Sequence, residues 1–193
     1  MGRREDKKQE KRERLEAEGL RLFLDGGYDR ASIEQIAAAA DVARGTFYLY
    51  FPEKLALFEA LTDQWFELVL QQMDEALRRI DRAASQAELR QIYDELGMGL
   101  ALIGLAHADA VLLSLRELRR KGEAGEALRR RERELLAAVV RLTERARDLG
   151  LVVVEDPALA SLVIYGAIEK LLYNQSGLLG VSETSADIRD LIR

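Results

Sequence analysis

A chain of 193 residues is long enough to bury a core and, at about 150 residues per domain, to hold one or two domains. Leu, Ala, Arg, Glu and Lys supply more than half of it and proline only 2 positions, a composition of long helices that argues against all-β and α/β folds, while 48% hydrophobic and 33% charged residues exclude intrinsic disorder. The net charge of -5 is unevenly spread, because residues 1 to 54 balance and the acidic excess lies in the remainder. Within the balanced part, Met1 to Arg14 holds 7 basic and 4 acidic residues, which from charge alone reads first as a solvated, frayed terminus and otherwise as a basic arm suited to a polyanion held at one end only.

The first apolar periodicity is Leu15, Gly19, Leu22 and Phe23, one helix face that stops at Asp25-Gly26-Gly27. Ser32 then has the chemistry of an N-cap, with Gln35 three residues on to complete a capping box. The short helix it opens buries Ile33, Ile36, Ala37 and Ala40. A second short run from Arg44 through Phe51 ends against Pro52, so the pair reads as a helix-turn-helix with helices of about two turns each. Pro52 in the first turn and Glu53 open a long helix to about Arg82, with Phe58, Leu61, Trp65, Val69, Met73, Leu77 and Ile80 on its inner face.

Ser85 restarts the pattern with Leu89, Ile92, Tyr93, Leu96 and Leu100, ending near His107, and Asp109 to Arg120 forms another short amphipathic piece. Gly122 and Gly125 separate it from a seam of Leu128, Leu135, Val139, Leu142, Ala146 and Leu149, which Gly150 stops. The run Arg129 to Glu134 inside that helix reads as a solvated face, because Glu132 and Glu134 interrupt its cations. Asp156-Pro157 opens a helix in which only Glu169 and Lys170 are charged between Ala158 and Tyr173, so it lacks the polar stripe of a surface helix and calls for cover on two sides, by its own core and by a partner. A last short helix is expected from Asp187 to Arg193, with Ile188 and Leu191 inward.

These elements exclude much chemistry. Without cysteine there are no disulfides, thiolate metal sites or cysteine nucleophiles, and the single histidine, His107, rules out histidine-rich metal sites. The longest uncharged stretch, Leu96 to Ala108, falls short of the roughly 20 residues of a membrane span, and no apolar stretch follows the basic N-terminus as in a secretory signal, so a cytoplasmic chain without a membrane partner is expected. Gly97 and Gly99 lie in an apolar helical run without a preceding strand and fail as a dinucleotide loop. No cofactor, metal or enzymatic activity is expected.

What remains is concentrated on the second short helix. Arg44 suits phosphate or guanine edges; Thr46, Tyr48 and Tyr50 carry hydroxyls suited to phosphate oxygens; Lys54 adds a cation where the next helix begins. The stretch Ser32-Ile33-Glu34-Gln35-Ile36-Ala37, then Ala40 through Phe51, then Lys54, resembles the DNA-binding domain of the TetR family of transcriptional repressors, over about residues 10 to 60. The resemblance implies an all-α homodimer on double-stranded DNA, with an N-terminal three-helix helix-turn-helix domain at 1–54 and a C-terminal helical bundle for effector binding and dimerisation at 55–193. It places phosphate contacts on Ser32, Thr46, Tyr48, Tyr50 and Lys54 and base reading on Arg44, Gly45 and neighbours. Two positions depart from the family pattern: Asp41 stands in place of the turn glycine, and Ala43 replaces a capping serine, at a local cost of about 0.5 to 2 kcal/mol.

Beyond residue 60 the resemblance is architectural, and Leu115-Arg116-Glu117-Leu118-Arg119 with the following helix is similar to members that respond to fatty acyl-CoA. Candidate contacts for a small, largely apolar effector are Trp65, Tyr93, Met98, His107, Tyr165, Glu169 and Asn174, aromatic and polar groups on otherwise apolar faces. The expected action is repression from a palindromic operator, relieved by effector. The competing reading is a helical interaction protein whose helix-turn-helix is only structural.

Overall fold

The computed structural model describes residues 3–175 and is all-α, with no strand among them. The helices are α1 (Arg3–Gly26), α2 (Ile33–Ala39), α3 (Arg44–Phe47), α4 (Lys54–Ile80), α5 (Gln86–Ala106), α6 (Ala108–Leu118), α7 (Glu123–Asp148) and α8 (Pro157–Gln175). The side chain of Asn174 and the helix expected from Asp187 to Arg193, with Ile188 and Leu191, lie outside the described residues. The chain divides into two compact units, Met1–Leu135 and Leu136–Arg193, so the division expected at residue 54 falls inside the first unit, where α4 begins.

In the first unit α1 packs on α2, α4 and α6, and the core of this end is aromatic. Phe23, Tyr28 and Phe58 meet with ring centroids 5.1 to 5.8 Å apart, and Phe47 and Phe51 lie 5.7 Å apart, arrangements that favour tilted and edge-on rings. Gly19 sits where a Cβ would come 2.7 Å from Leu57 Cδ2, so glycine sets how closely α1 and α4 approach. The helix also reaches much further back than its apolar face. It begins at Arg3, held along its exposed part by Gln9 to Glu13 at 2.9 Å and Arg12 to Glu16 at 2.9 Å, i,i+4 pairs that sustain a helix without a core.

The capping box read from sequence is present, and Ser85 and Asp156 cap the helices they open. The Ser32 hydroxyl accepts from Gln35 N–H at 3.2 Å while the Gln35 side chain accepts from Ser32 N–H at 2.9 Å, a complete capping box. Ser85 accepts from Glu88 N–H, and Asp156 accepts from the N–H groups of Ala158 and Leu159. Pro52, expected in the first turn of α4, lies outside it, with Glu53 as N-cap. The buried face of α4 is rotated from the expected one: Leu57, Phe58, Thr62, Phe66, Val69, Met73, Ala76 and Ile80 are inside, while Leu61, Trp65 and Leu77 are half-buried. Thr62 tolerates burial because its hydroxyl donates to Phe58 O at 3.0 Å.

Helices α5 and α6 meet at His107, which ends one and begins the other across a bend of 87°. No single helix among the described residues is long and apolar enough to cross a membrane. Gly125 does not separate α6 from α7 as expected. It lies inside α7, buried, where a Cβ would stand 2.2 Å from Arg120 O. The run Arg129 to Glu134 is only partly the solvated face expected, with Arg130, Arg133 and Glu134 exposed and Arg129, Arg131 and Glu132 half-buried. Arg131 reaches Asp63 and Glu67 on α4 at 2.7 Å each and Glu134 at 2.9 Å, and Arg130 reaches Glu59 at 3.1 Å, so the charges tie α7 to α4.

The second unit holds the end of α7 and α8. Leu142 and Ala146 are buried as expected, and α7 ends with Leu151 N–H on Ala146 O and Gly150 N–H on Arg147 O, the paired bonds of a Schellman stop. Ser161 on α8 donates to Pro157 O at 2.6 Å and lies 2.9 Å from the Thr143 hydroxyl. Around most of the rest of α8 the exposed side chains are apolar: Leu159, Leu162, Val163, Ile164 and Ile168 are 48% to 64% exposed.

Candidate nucleic-acid interface

The turn between α2 and α3 is built around Asp41, whose φ of 53° is left-handed. Val42 N–H bonds Ala37 O at 3.0 Å and Asp41 N–H bonds Ala38 O at 3.2 Å, so Asp41 performs the stop that glycine ordinarily performs. Ala43 is the N-cap of α3 and makes no side-chain cap bond. Only four residues, Arg44–Phe47, are α-helical, one turn rather than the two expected. The chain continues by i→i+3 bonds, Leu49 N–H to Thr46 O at 3.1 Å and Tyr50 N–H to Phe47 O at 2.9 Å, before Pro52 ends it.

This short segment is two-sided. Phe47 and Phe51 are buried and fix it to the core, while Arg44, Gly45, Tyr48 and Leu49 are exposed and Thr46 and Tyr50 half-exposed. Gly45 has nothing within 4 Å of a Cβ position, so its backbone is open to approach from outside. Tyr48 packs edge-on against Phe47 at 5.7 Å and remains 43% exposed, an aromatic base whose hydroxyl stands beside Arg44. Leu49, 76% exposed beside these polar groups, escaped the sequence reading; an uncompensated leucine in a short polar segment is the signal that marks it.

Arg44 is held rather than loose. Its Nε lies 2.9 Å from Glu34 Oε1 on α2, and the Tyr48 hydroxyl together with that carboxylate keeps the guanidinium above its ordinary pKa. Glu34 is held below the usual carboxylate range, first by its own backbone N–H and then by Arg44. Ser32 is occupied as a cap. Lys54 stands apart from the exposed group: its Nζ donates to Tyr28 O at 2.8 Å and Ala31 O at 3.0 Å and lies 4.1 Å from the Tyr28 ring centroid, tying the turn after α1 to the start of α4.

That turn is also gripped from α6 and α7. Glu117, 1% exposed, accepts from Tyr28 N–H at 3.3 Å; the Tyr28 hydroxyl donates to Glu123; and Arg116 donates to Leu24 O. Within the Leu115 to Arg119 segment, Arg116 thus reaches α1 and Glu117 the turn after it. Burial and the Glu123 carboxylate push the Tyr28 phenol well above its ordinary range.

The effector candidates fall in both units. Trp65 stacks on Phe66 at 3.8 Å and donates its indole N–H to Ser114 at 3.1 Å. Tyr93 is half-buried, and Met98 is 64% exposed on α5, in line with Leu102 and Leu105. His107 lines a groove of 590 Å³ with Arg12, Glu16, Leu20, Leu61 and Gln64. Tyr165 and Glu169 are half-buried on α8 in the second unit.

Residues 17–61 match the family model described as bacterial regulatory proteins, tetR family. The chain is 36% identical over 67 residues to the transcriptional repressor KstR of Mycolicibacterium smegmatis, 35% of this chain and 33% of that protein; the chain therefore matches about a third of its curated relative's length. Its fold is similar to a TetR-family regulator from Syntrophomonas wolfei, with a TM-score of 0.70 at 22% identity over 90% of this chain and 86% of that one. It is also similar to AibR, solved in complex with isovaleryl coenzyme A and operator DNA, with a TM-score of 0.59 at 21% identity over 84% of each chain.

Proposed function

Because the chain belongs to the TetR family through its N-terminal domain, we propose that it is a homodimeric, sequence-specific transcriptional repressor of the cytoplasm, released from a palindromic operator by a small, largely apolar effector. Residues 1–54 are the DNA-binding head and 55–193 the effector-binding and dimerising part. In this reading the chain has no enzymatic role and no membrane partner.

The observation that carries the reading is the two-sided segment at α3. Buried Phe47 and Phe51 hold an exposed Arg44, an open Gly45 backbone and the hydroxyls of Thr46, Tyr48 and Tyr50 on one face. Duplex DNA asks for that combination: cations and hydroxyls for phosphate, a forked donor for a guanine edge, and a backbone that can come close. Two such segments about 34 Å apart would enter successive major grooves. The exposed apolar side chains of α8 support a partner copy, and AibR's coenzyme A thioester supports an acyl effector.

An effector shifts the operator affinity only by its preference for one conformation, typically about 1 to 3 kcal/mol. The grip of Arg116, Glu117 and Glu123 on the turn after α1 gives the effector half a hold on the head. The test is selection from a random duplex pool followed by titration with and without isovaleryl coenzyme A. Enriched palindromes that bind less tightly when the thioester is present support the reading; duplex binding that Arg44→Ala leaves unchanged favours the structural helix-turn-helix instead.

A further inference from the structure

The first turns of α1 project beyond the core. Leu15 is the first buried residue of the helix, yet the helix begins at Arg3, so about 18 Å of it, at about 1.5 Å per residue, has no core to cover. Its lysines share one side, bordered by Glu5 three residues before Lys8. Lys11 and Lys8 lie four and seven residues before Leu15 and prolong the line along which α1 packs; Lys7 lies four before Lys11 and seven before Arg14. Asp6, Glu10 and Glu13 recur at spacings of four and three on a separate face. Lys7, Lys8 and Lys11 are exposed and make no ion pair with any described residue, whereas Arg12 and Arg14 at the root are engaged with Glu16 and Asp41.

The root is fixed beside the helix-turn-helix. Arg14 lies 3.9 Å from Asp41 in the α2–α3 turn, and the Arg12 guanidinium stands 5.0 Å from the Phe51 ring centroid at the end of the recognition segment. We propose that this projecting helix is a second phosphate-binding element, in which Lys7, Lys8 and Lys11 track the duplex backbone flanking the site read by Arg44. The inference rests on the DNA-binding reading above and adds an element to it. At about 3.4 Å per base pair, 18 Å of helix spans about five base pairs. The contacts carry no sequence information, because lysine offers a point charge to phosphate.

The experiment measures binding of a fluorescein-labelled random-sequence duplex by anisotropy across a potassium chloride series, for the intact chain, for Lys7→Gln/Lys8→Gln/Lys11→Gln and for Asp6→Asn/Glu10→Gln. Each lost phosphate contact lowers the slope of log affinity against log salt by about 0.9, so the lysine triple should lose about 2 to 3 from the slope, with helicity by circular dichroism unchanged. The acidic pair should bind as tightly as the intact chain or more so. A triple that keeps the slope of the intact chain overturns this inference and leaves the DNA-binding reading standing, as does a triple that loses affinity for anionic phosphatidylglycerol vesicles only. Should the triple unfold, Lys11→Glu alone must still lower the slope, and an unchanged slope overturns the inference. An intact chain without salt-dependent duplex binding overturns both.

Discussion

Arg44 shows how one side chain is set between two partners. It pairs with Glu34 at 2.9 Å, and both groups are more than half exposed, so the pair itself adds little to stability. Its consequence is for binding: Glu34 offsets the cation that a phosphate or guanine would otherwise meet. Glu34→Gln should therefore tighten duplex binding, with a melting temperature that hardly moves; an unchanged affinity would show that Glu34 does not compete with DNA for Arg44. Truncation in the other direction, Arg44→Ala, should cost about 1 to 3 kcal/mol on a selected operator and relax discrimination at a single base position, which competition with substituted operators would read.

At the scale of the element, α3 is under-supported. One turn of helix lacks a side-chain cap at Ala43 and follows an aspartate in left-handed conformation, two departures with separable costs. Asp41→Gly should stabilise the fold by about 0.5 to 1 kcal/mol by removing the left-handed penalty, since the Arg14 pair it sacrifices is long and exposed. Ala43→Ser should add about 0.5 to 2 kcal/mol through a new cap, and thermal melts of the two variants and their combination would show whether the gains add. Caps were legible in the sequence because they are local: Ser32, Ser85 and Asp156 each bond within three residues. The reading lost accuracy where tertiary partners decide. Trp65 and Phe66 are adjacent on α4 and equally apolar, and only the packed core selects Phe66 for burial. Arg131 reads as one more charge in a run until Asp63, 68 positions earlier, is brought beside it. Likewise the helical N-terminal extension has no apolar period to announce it, and the grip on Tyr28 joins residues about 90 positions apart.

For the molecule as a whole, the question is how the head is held and how two copies meet. Tyr28 is kept neutral in the fold, its phenol raised above the ordinary value of 10.0 by burial and then by Glu123. A group raised in this way lends stability that is complete below pH 10 and is lost as pH climbs toward its folded value, so the intact chain should lose stability above about pH 10 more steeply than Tyr28→Phe, as alkaline denaturant titrations would record. In the proposed homodimer the copies would meet on α8, where Leu159, Leu162, Val163, Ile164 and Ile168 are exposed. A monomer would leave these side chains in water, each forgoing part of the roughly 1.5 to 3 kcal/mol that full burial yields. Leu162→Asp with Ile168→Asp should therefore give a folded monomer in sedimentation. Since a lone head covers half a palindrome, operator affinity should collapse while the salt slope per chain on random duplex persists; a double variant that stays dimeric would move the interface away from α8.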